Sequence, residues 1–168
     1  MFKVNDTIIY GSEGVCQILG IEEKDFIGAK KTYYVIKPVA SSSSTIFVPI
    51  DSEVLVAKMR SLMSKKEINE LIDSLQKEAV SWIENERERK EAYKNILSGG
   101  NPIELLNMIR TIHLEKENRE TTGKRLHLID ESFLRDAEKC LYSEFQHVLN
   151  LRQDEVIPYI INRIEKHK

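Results

Sequence analysis

The chain is poor in cysteine, balanced in charge and without a long apolar run. Its two cysteines, Cys16 and Cys140, lie far apart in 168 residues. That excludes a disulfide-stapled framework and leaves two reduced, buried thiols as the expected state. The opening MFKVNDTIIY holds no apolar stretch of signal-peptide or membrane-span length, so a cytoplasmic protein with no membrane association is expected. The 25 Lys and Arg stand against 27 Asp and Glu, a formal net charge of −2. This balance excludes a nucleic-acid binder that works by bulk electrostatics alone. Splitting the chain after Ala57 uncovers no basic half: the first part has 5 cations against 7 anions, the remainder 20 against 20. Only a local basic cluster, with affinity borrowed from a second partner, is left as a route to nucleic acid.

Catalytic and metal-binding signatures are missing too. His113, His127, His147 and His167 have no Cys or second His at ligand spacing, so no metal site is expected. No G-x-S-x-G, Walker-type or G-x-G-x-x-G loop occurs. Gly11-x-x-Gly14 reads as a turn that needs positive φ, and Glu22-Glu23 as solvated surface charge. With no nucleophile, base or cofactor motif to name, the chain reads as a non-enzyme without a cofactor.

The pattern that is present splits in two. Residues 2–57 are β-like: Val4, Thr7–Tyr10, Val15–Ile18, Thr32–Ile36, Thr45–Val48 and Val54–Val56 are short runs rich in β-branched and aromatic side chains. Turn chemistry separates them at Asn5-Asp6, Gly11–Gly14, Gly28–Lys30 and Ser41–Ser44, the serines reading as a hairpin tip. Five short strands at this spacing predict a small SH3- or Tudor-like barrel.

From Ser64 the period changes to that of helices. Ser64-Lys65-Lys66-Glu67 is a capping box ahead of Ile68, Leu71, Ile72 and Leu75. A central helix is predicted from about Glu78 to Leu97, then a third opened by Asn101-Pro102-Ile103-Glu104. After a polar connection, Glu117–Lys124, Asp130 is expected to cap a fourth helix and Asp154 a fifth. The fold class is therefore α+β, a small N-terminal barrel over 1–60 and an all-α bundle over 61–168, with no internal repeat.

Within the bundle one stretch stands apart, Ala79–Gly100. It holds the only tryptophan, Trp82, followed by eight polar residues, Glu84–Glu91, and closed by Ser98-Gly99-Gly100. On a helix at about 100° per residue, Trp82, Asn85, Arg89 and Tyr93 share one side and Arg87, Lys90 and Lys94 the adjoining one. A large ring among cations, with little apolar company, is either a core anchor or a group presented to a partner. Lys124-Arg125 forms a second, smaller basic cluster.

Taken together, these residues resemble the CarD/CdnL family of bacterial transcription regulators. The likeness is carried by Met1–Tyr10, Gly14-Val15, Gly28, Tyr33–Lys37, Ile46–Pro49 and the tryptophan-plus-basic stretch ending in Ser98-Gly99. The first part also resembles the polymerase-interaction module of transcription-repair coupling factors. The likeness runs to about residue 150 and leaves the last helix unassigned. It implies a Tudor-like domain that docks on the RNA polymerase β subunit by β-augmentation, with Lys24, Ile46 and Phe47 at the contact. Relatives can carry arginine where this chain has Phe47, and an inward-facing barrel residue is the competing reading there.

The resemblance further implies that the helical domain meets promoter DNA at the upstream edge of the bubble, without reading sequence. A tryptophan wedge in the minor groove would favour the open complex. Trp82, Asn85, Arg87, Arg89, Lys90, Lys94 and Arg125 are the expected DNA-facing set. The usual tryptophan position falls at Asn85, three residues after Trp82, an offset of about 4.5 Å along a continuous helix and about 60° around it. The expectation is a monomeric regulator that is brought to the nucleoid by polymerase. The rival is a protein-interaction adaptor with a peptide-binding barrel, no DNA contact and Trp82 in its core.

Overall fold

The computed structural model describes residues 1–41, 44–75 and 81–166. Part of the serine hairpin tip (42–43), the start of the predicted central helix (78–80) and His167 lie outside the described residues.

Five antiparallel strands form one sheet: β1 Thr7–Tyr10, β2 Val15–Asp25, β3 Lys30–Pro38, β4 Ile46–Pro49 and β5 Met59–Ser61. Their order is β4-β3-β2-β1-β5, which leaves β4 and β5 as the edges. A one-turn 3-10 helix, Gly11–Glu13, joins β1 to β2, with the expected positive φ of 47° at Gly11 and 74° at Gly14. The expected strand at Val54–Val56 is instead a single helical turn, α1 (Glu53–Val56). Its Leu55 and Val56 pack on the sheet core while Val54 faces solvent. A strand would have turned Leu55 to the opposite face from Val56, so packing overrides β propensity here.

Antiparallel register decides what each sheet face meets, because paired residues share a face. Ile8 pairs with Cys16 and Ser61, and on this face Ile8, Cys16, Ile18, Tyr34, Ile36, Val48 and Met59 make the sheet's own core. Ile9 pairs with Val15 and Arg60; both apolar partners are buried outside that core, on the face from which Arg60 reaches the helices.

The helices are α2 Lys65–Ser74, α3 Glu86–Gly99, α4 Pro102–Thr121, α5 Leu128–Leu149 and α6 Gln153–Lys166. The Ser64 capping box is present on both arms, and Asn101 caps α4 through Ile103 and Glu104 N–H. Four boundaries differ from expectation. The central helix begins at Glu86, because Asn85 in extended backbone accepts from Arg87 and Glu88 N–H and starts it there. The segment expected as a polar connection is largely the last turn of α4. His127, not Asp130, holds the N-cap position of α5, and Asp154 lies in the first turn of α6 rather than ahead of it. Leu105, Ile109, Ile112, Leu134, Ala137, Leu141 and Phe145 lie at the centre of the helical core, with Ile68, Ile72, Val156 and Ile160 closing it.

Specific polar contacts tie sheet to helices. Arg60 grips Glu144 of α5 with two hydrogen bonds, 2.9 and 2.7 Å. The Met63 N–H donates to the same carboxylate at 2.7 Å. The Cys140 thiol donates to the Gly11 carbonyl at 3.2 Å. Gly14 lies so close to α5 that a Cβ there would stand 2.5 Å from Ser143 Oγ. Glu144 is fully buried, and three donors on one carboxylate are what such a burial requires.

Candidate nucleic-acid interface and sheet edge

The central stretch is built around Arg89, which is 2 % exposed. Its Nε and Nη2 donate to the two Asp130 oxygens, each at 2.9 Å, and Nη1 donates to the Ile83 and Glu84 carbonyls. One guanidinium thus ties α3 to the first turn of α5 and to the segment that leads into α3. Asp130, fully buried, gains further from that helix N-terminus. The hydrogen bond with Asp130 raises the Arg89 pKa from its already high value. Arg89 therefore leaves the phosphate-contact set: it carries an internal ion pair.

Trp82 moves with it. The ring is half-buried against the helical core, ahead of α3 rather than on a helix. The Arg89 guanidinium lies over it at 4.3 Å from the centroid and that of Arg119 at 5.8 Å. Stacked cations over a partly desolvated indole stabilise by roughly 1–2 kcal/mol. The expected wedge is in this arrangement an anchor. Beneath it Tyr93 stacks edge-on against Phe133 at 5.6 Å, and burial pushes its hydroxyl up to about 12.

The remaining members separate cleanly. Asn85 is spent on capping α3. Arg87 and Lys94 are exposed and form no ion pair among the described residues. Lys90 pairs with Glu86 one turn earlier, and that hydrogen bond lowers the Glu86 pKa. Arg125 is exposed in the α4–α5 loop. The outward face of α3 thus offers Arg87, Lys90 and Lys94, interleaved with Glu86 and Glu91.

On the sheet, Lys24 is half-exposed and bridges Glu22 at 2.7 Å. It stands opposite Lys31, which in turn pairs with Asp51 at 2.8 Å; that contact raises the Lys31 pKa and lowers that of Asp51. Ile46 points inward and packs on the sheet core, so its side chain is not a docking contact. Phe47 points outward, 37 % exposed. Its ring lies 5.2 Å from Phe26 and 6.4 Å from Tyr33, while Phe26 and Tyr33 are 5.2 Å apart, all edge-on. Three rings therefore cover the outer face beside the β4 edge, with Ile27 almost wholly exposed at the adjoining hairpin tip.

Sequence reading missed Phe26 and Tyr33 as partners of Phe47. It also missed Arg60–Glu144 and Arg89–Asp130. The signal for the ion pairs was present: Glu144 falls on the same helical stripe as Cys140, Leu141 and Val148, and Asp130 on that of Phe133, Leu134 and Ala137. A charge at a core position asks for a partner. Among the described residues no group of three His, Cys, Asp or Glu is placed to hold a metal ion. No described helix is long and apolar enough to cross a membrane.

Comparison with known proteins falls on the sheet. Residues 2–62 match the family described as CarD-like/TRCF RID domain. The "Putative transcription factor YdeB" of Bacillus subtilis (strain 168) is 38% identical over 60 residues. That match spans 36% of this chain and 38% of the relative's length. The family match over 2–62 contains all five strands of the sheet. Residues 2–62 are thus similar to a CarD-like/TRCF RID domain, and the helical region lies beyond the matched segment.

Proposed function

We propose that the chain is a non-enzymatic transcription regulator that docks on the RNA polymerase β subunit through the free edge of β4. The exposed Phe26–Tyr33–Phe47 cluster beside that edge is the observation that supports this reading most. An unpaired edge supplies main-chain hydrogen bonds to an added strand, and flanking rings supply the apolar contact that makes the addition specific. Docked in this way, in the cytoplasm and at the nucleoid, the protein sets the helical region on promoter DNA at the upstream edge of the bubble. Arg87, Lys90 and Lys94, with Arg125 further along, face the phosphates and stabilise the open complex without reading sequence. The near-zero net charge suits this division, since tethering to polymerase raises the local concentration of weak cationic contacts.

The test is a binding measurement on isolated β subunit with Phe47→Asp and Lys24→Glu. A charge among three stacked rings is expected to weaken binding at least tenfold, with a smaller loss for Lys24→Glu. Unchanged affinity in a folded Phe47→Asp variant would remove the β4 edge as the docking site. The adaptor reading draws on one feature, an apolar groove of about 630 Å³ lined by Leu106, Ile109, Leu114, Ile157 and Ile161. A regulator that bound polymerase but left open-complex lifetime untouched would favour it.

A further inference from the structure

The seam between sheet and helices carries an open polar cleft of about 560 Å³. Three lysines from three separate elements line it: Lys58, between α1 and β5; Lys94, on α3; and Lys139, on α5. Two carboxylates, Glu13 and Asp136, also line it, with Tyr10, Ser12 and Ser98. Some exposed lysines of this molecule pair with carboxylates, as Lys24, Lys31, Lys66 and Lys90 do. None of the three cleft lysines forms an ion pair among the described residues. Three cations lining one cleft, outnumbering its two acids, suit an anion from outside.

The cleft is also held firmly. The Gly11 N–H donates to the Lys58 carbonyl at 3.0 Å, and the Lys58 stem passes 3.8 Å from where a Gly11 Cβ would stand. Arg60, two residues on, is locked to Glu144. Lys58 is therefore fixed relative to α5 and Lys139 by the same seam.

We infer that this cleft is a phosphate-binding extension of the DNA-facing surface, taking the backbone of the duplex that leaves α3. The inference rests on the functional reading above. Lys94 belongs to both surfaces, so the cationic row runs from Arg87 and Lys90 along α3, through Lys94, and across the seam to Lys58 and Lys139. An open, shallow cleft continuous with a helix face fits a strand passing over it better than an enclosed small nucleotide. Through Lys58 the sheet part touches DNA directly instead of acting only as a tether.

The experiment measures salt dependence of full-chain binding to a polymerase–promoter complex. Lys58→Met keeps the stem that packs on Gly11 and removes the charge; it is combined with Lys139→Met. Each lost phosphate contact is expected to reduce the slope of log K against log salt by about 0.9. The double variant therefore flattens it by about 1.8 while affinity for isolated β is unchanged. Glu13→Gln with Asp136→Asn acts in the opposite direction, tightening binding at low salt. A slope unchanged by Lys58→Met/Lys139→Met, while Arg87→Ala reduces it, overturns the cleft and leaves the DNA-facing α3 intact. A slope that responds to neither set, with β binding retained, overturns the functional reading itself. Tighter binding of inorganic pyrophosphate than of duplex by the free protein would assign the cleft to a small phosphate ligand and overturn the DNA assignment.

Discussion

The sheet and the helical region solve burial in opposite ways. The sheet's core holds no charged side chain, and the ion pairs made within the sheet part, such as Lys31–Asp51, lie at the surface. The helical region buries Arg89, Asp130 and Glu144 outright. An apolar core of fixed register leaves the sheet's β4 edge and outer rings outside that core. The helices, whose apolar stripes alone permit several packings, use buried ion pairs to select one. The hypothesis that these pairs specify geometry more than they stabilise makes Arg89 the organiser of the segment carrying Trp82, and Arg60–Glu144 the fastener that holds α5 at a fixed place relative to the sheet.

Breaking the buried pairs is expected to have the largest effect. Arg89→Ala strands Asp130 in the core and is expected to cost about 3–5 kcal/mol by urea denaturation. It also releases Ile83–Glu84, so Trp82 fluorescence should shift to the red in the still-folded fraction. Replacing both partners by apolar residues, Arg89→Met with Asp130→Leu, should recover most of that loss. If it recovers stability and also keeps full function, the specificity role is wrong. At the seam, Arg60→Met leaves Glu144 buried with one donor instead of three. A loss of about 3 kcal/mol is expected, together with weaker stabilisation of the open complex while β affinity holds.

Smaller effects separate the two regions further. Truncation of the half-buried ring in Trp82→Ala should destabilise by about 2–3 kcal/mol, short of the full range for a buried aromatic. Its effect on the open complex should match that loss of fold, with no additional wedge contribution. The smallest effect concerns the thiols. Burial pushes Cys16 up to about 12 and Cys140 to about 11, from 9.0. A group whose folded pKa is raised contributes stability fully below its unfolded value and loses it as pH rises toward the folded one. Stability should therefore decline between pH 9 and 12, less steeply in Cys16→Val. Neither thiol should react with a soluble alkylating agent at neutral pH until the chain unfolds.

Much of this was legible beforehand. β-branched runs and turn residues located the first four strands, and caps at Ser64 and Asn101 located two helices. Two kinds of feature were not. Boundaries such as Asn85 depend on which competing cap wins, and there Arg89, itself held by Asp130 from α5, fastens the preceding Ile83 and Glu84 carbonyls. Val54–Val56 failed similarly, since a β-branched triplet bends into a turn when that is how it covers the sheet core. The site was half legible. Arg87 and Lys94 are where a solvated helix face puts them, and Phe47 faces out instead of into the sheet core. Arg89, at the same spacing as the others, could be told apart only by the apolar stripe it shares with Tyr93 and Ile96. Phe26, Tyr33 and Phe47 meet through strand register, which no local window contains.

The central claim is that a sheet-tethered helix face holds promoter DNA open. The most direct test is open-complex lifetime on a promoter template with wild type and with Arg87→Ala/Lys94→Ala, two exposed side chains outside both cores. Wild type is expected to lengthen the lifetime, and the double variant to lose most of that gain while binding β with unchanged affinity. A double variant that stabilises the complex as well as wild type would contradict the account.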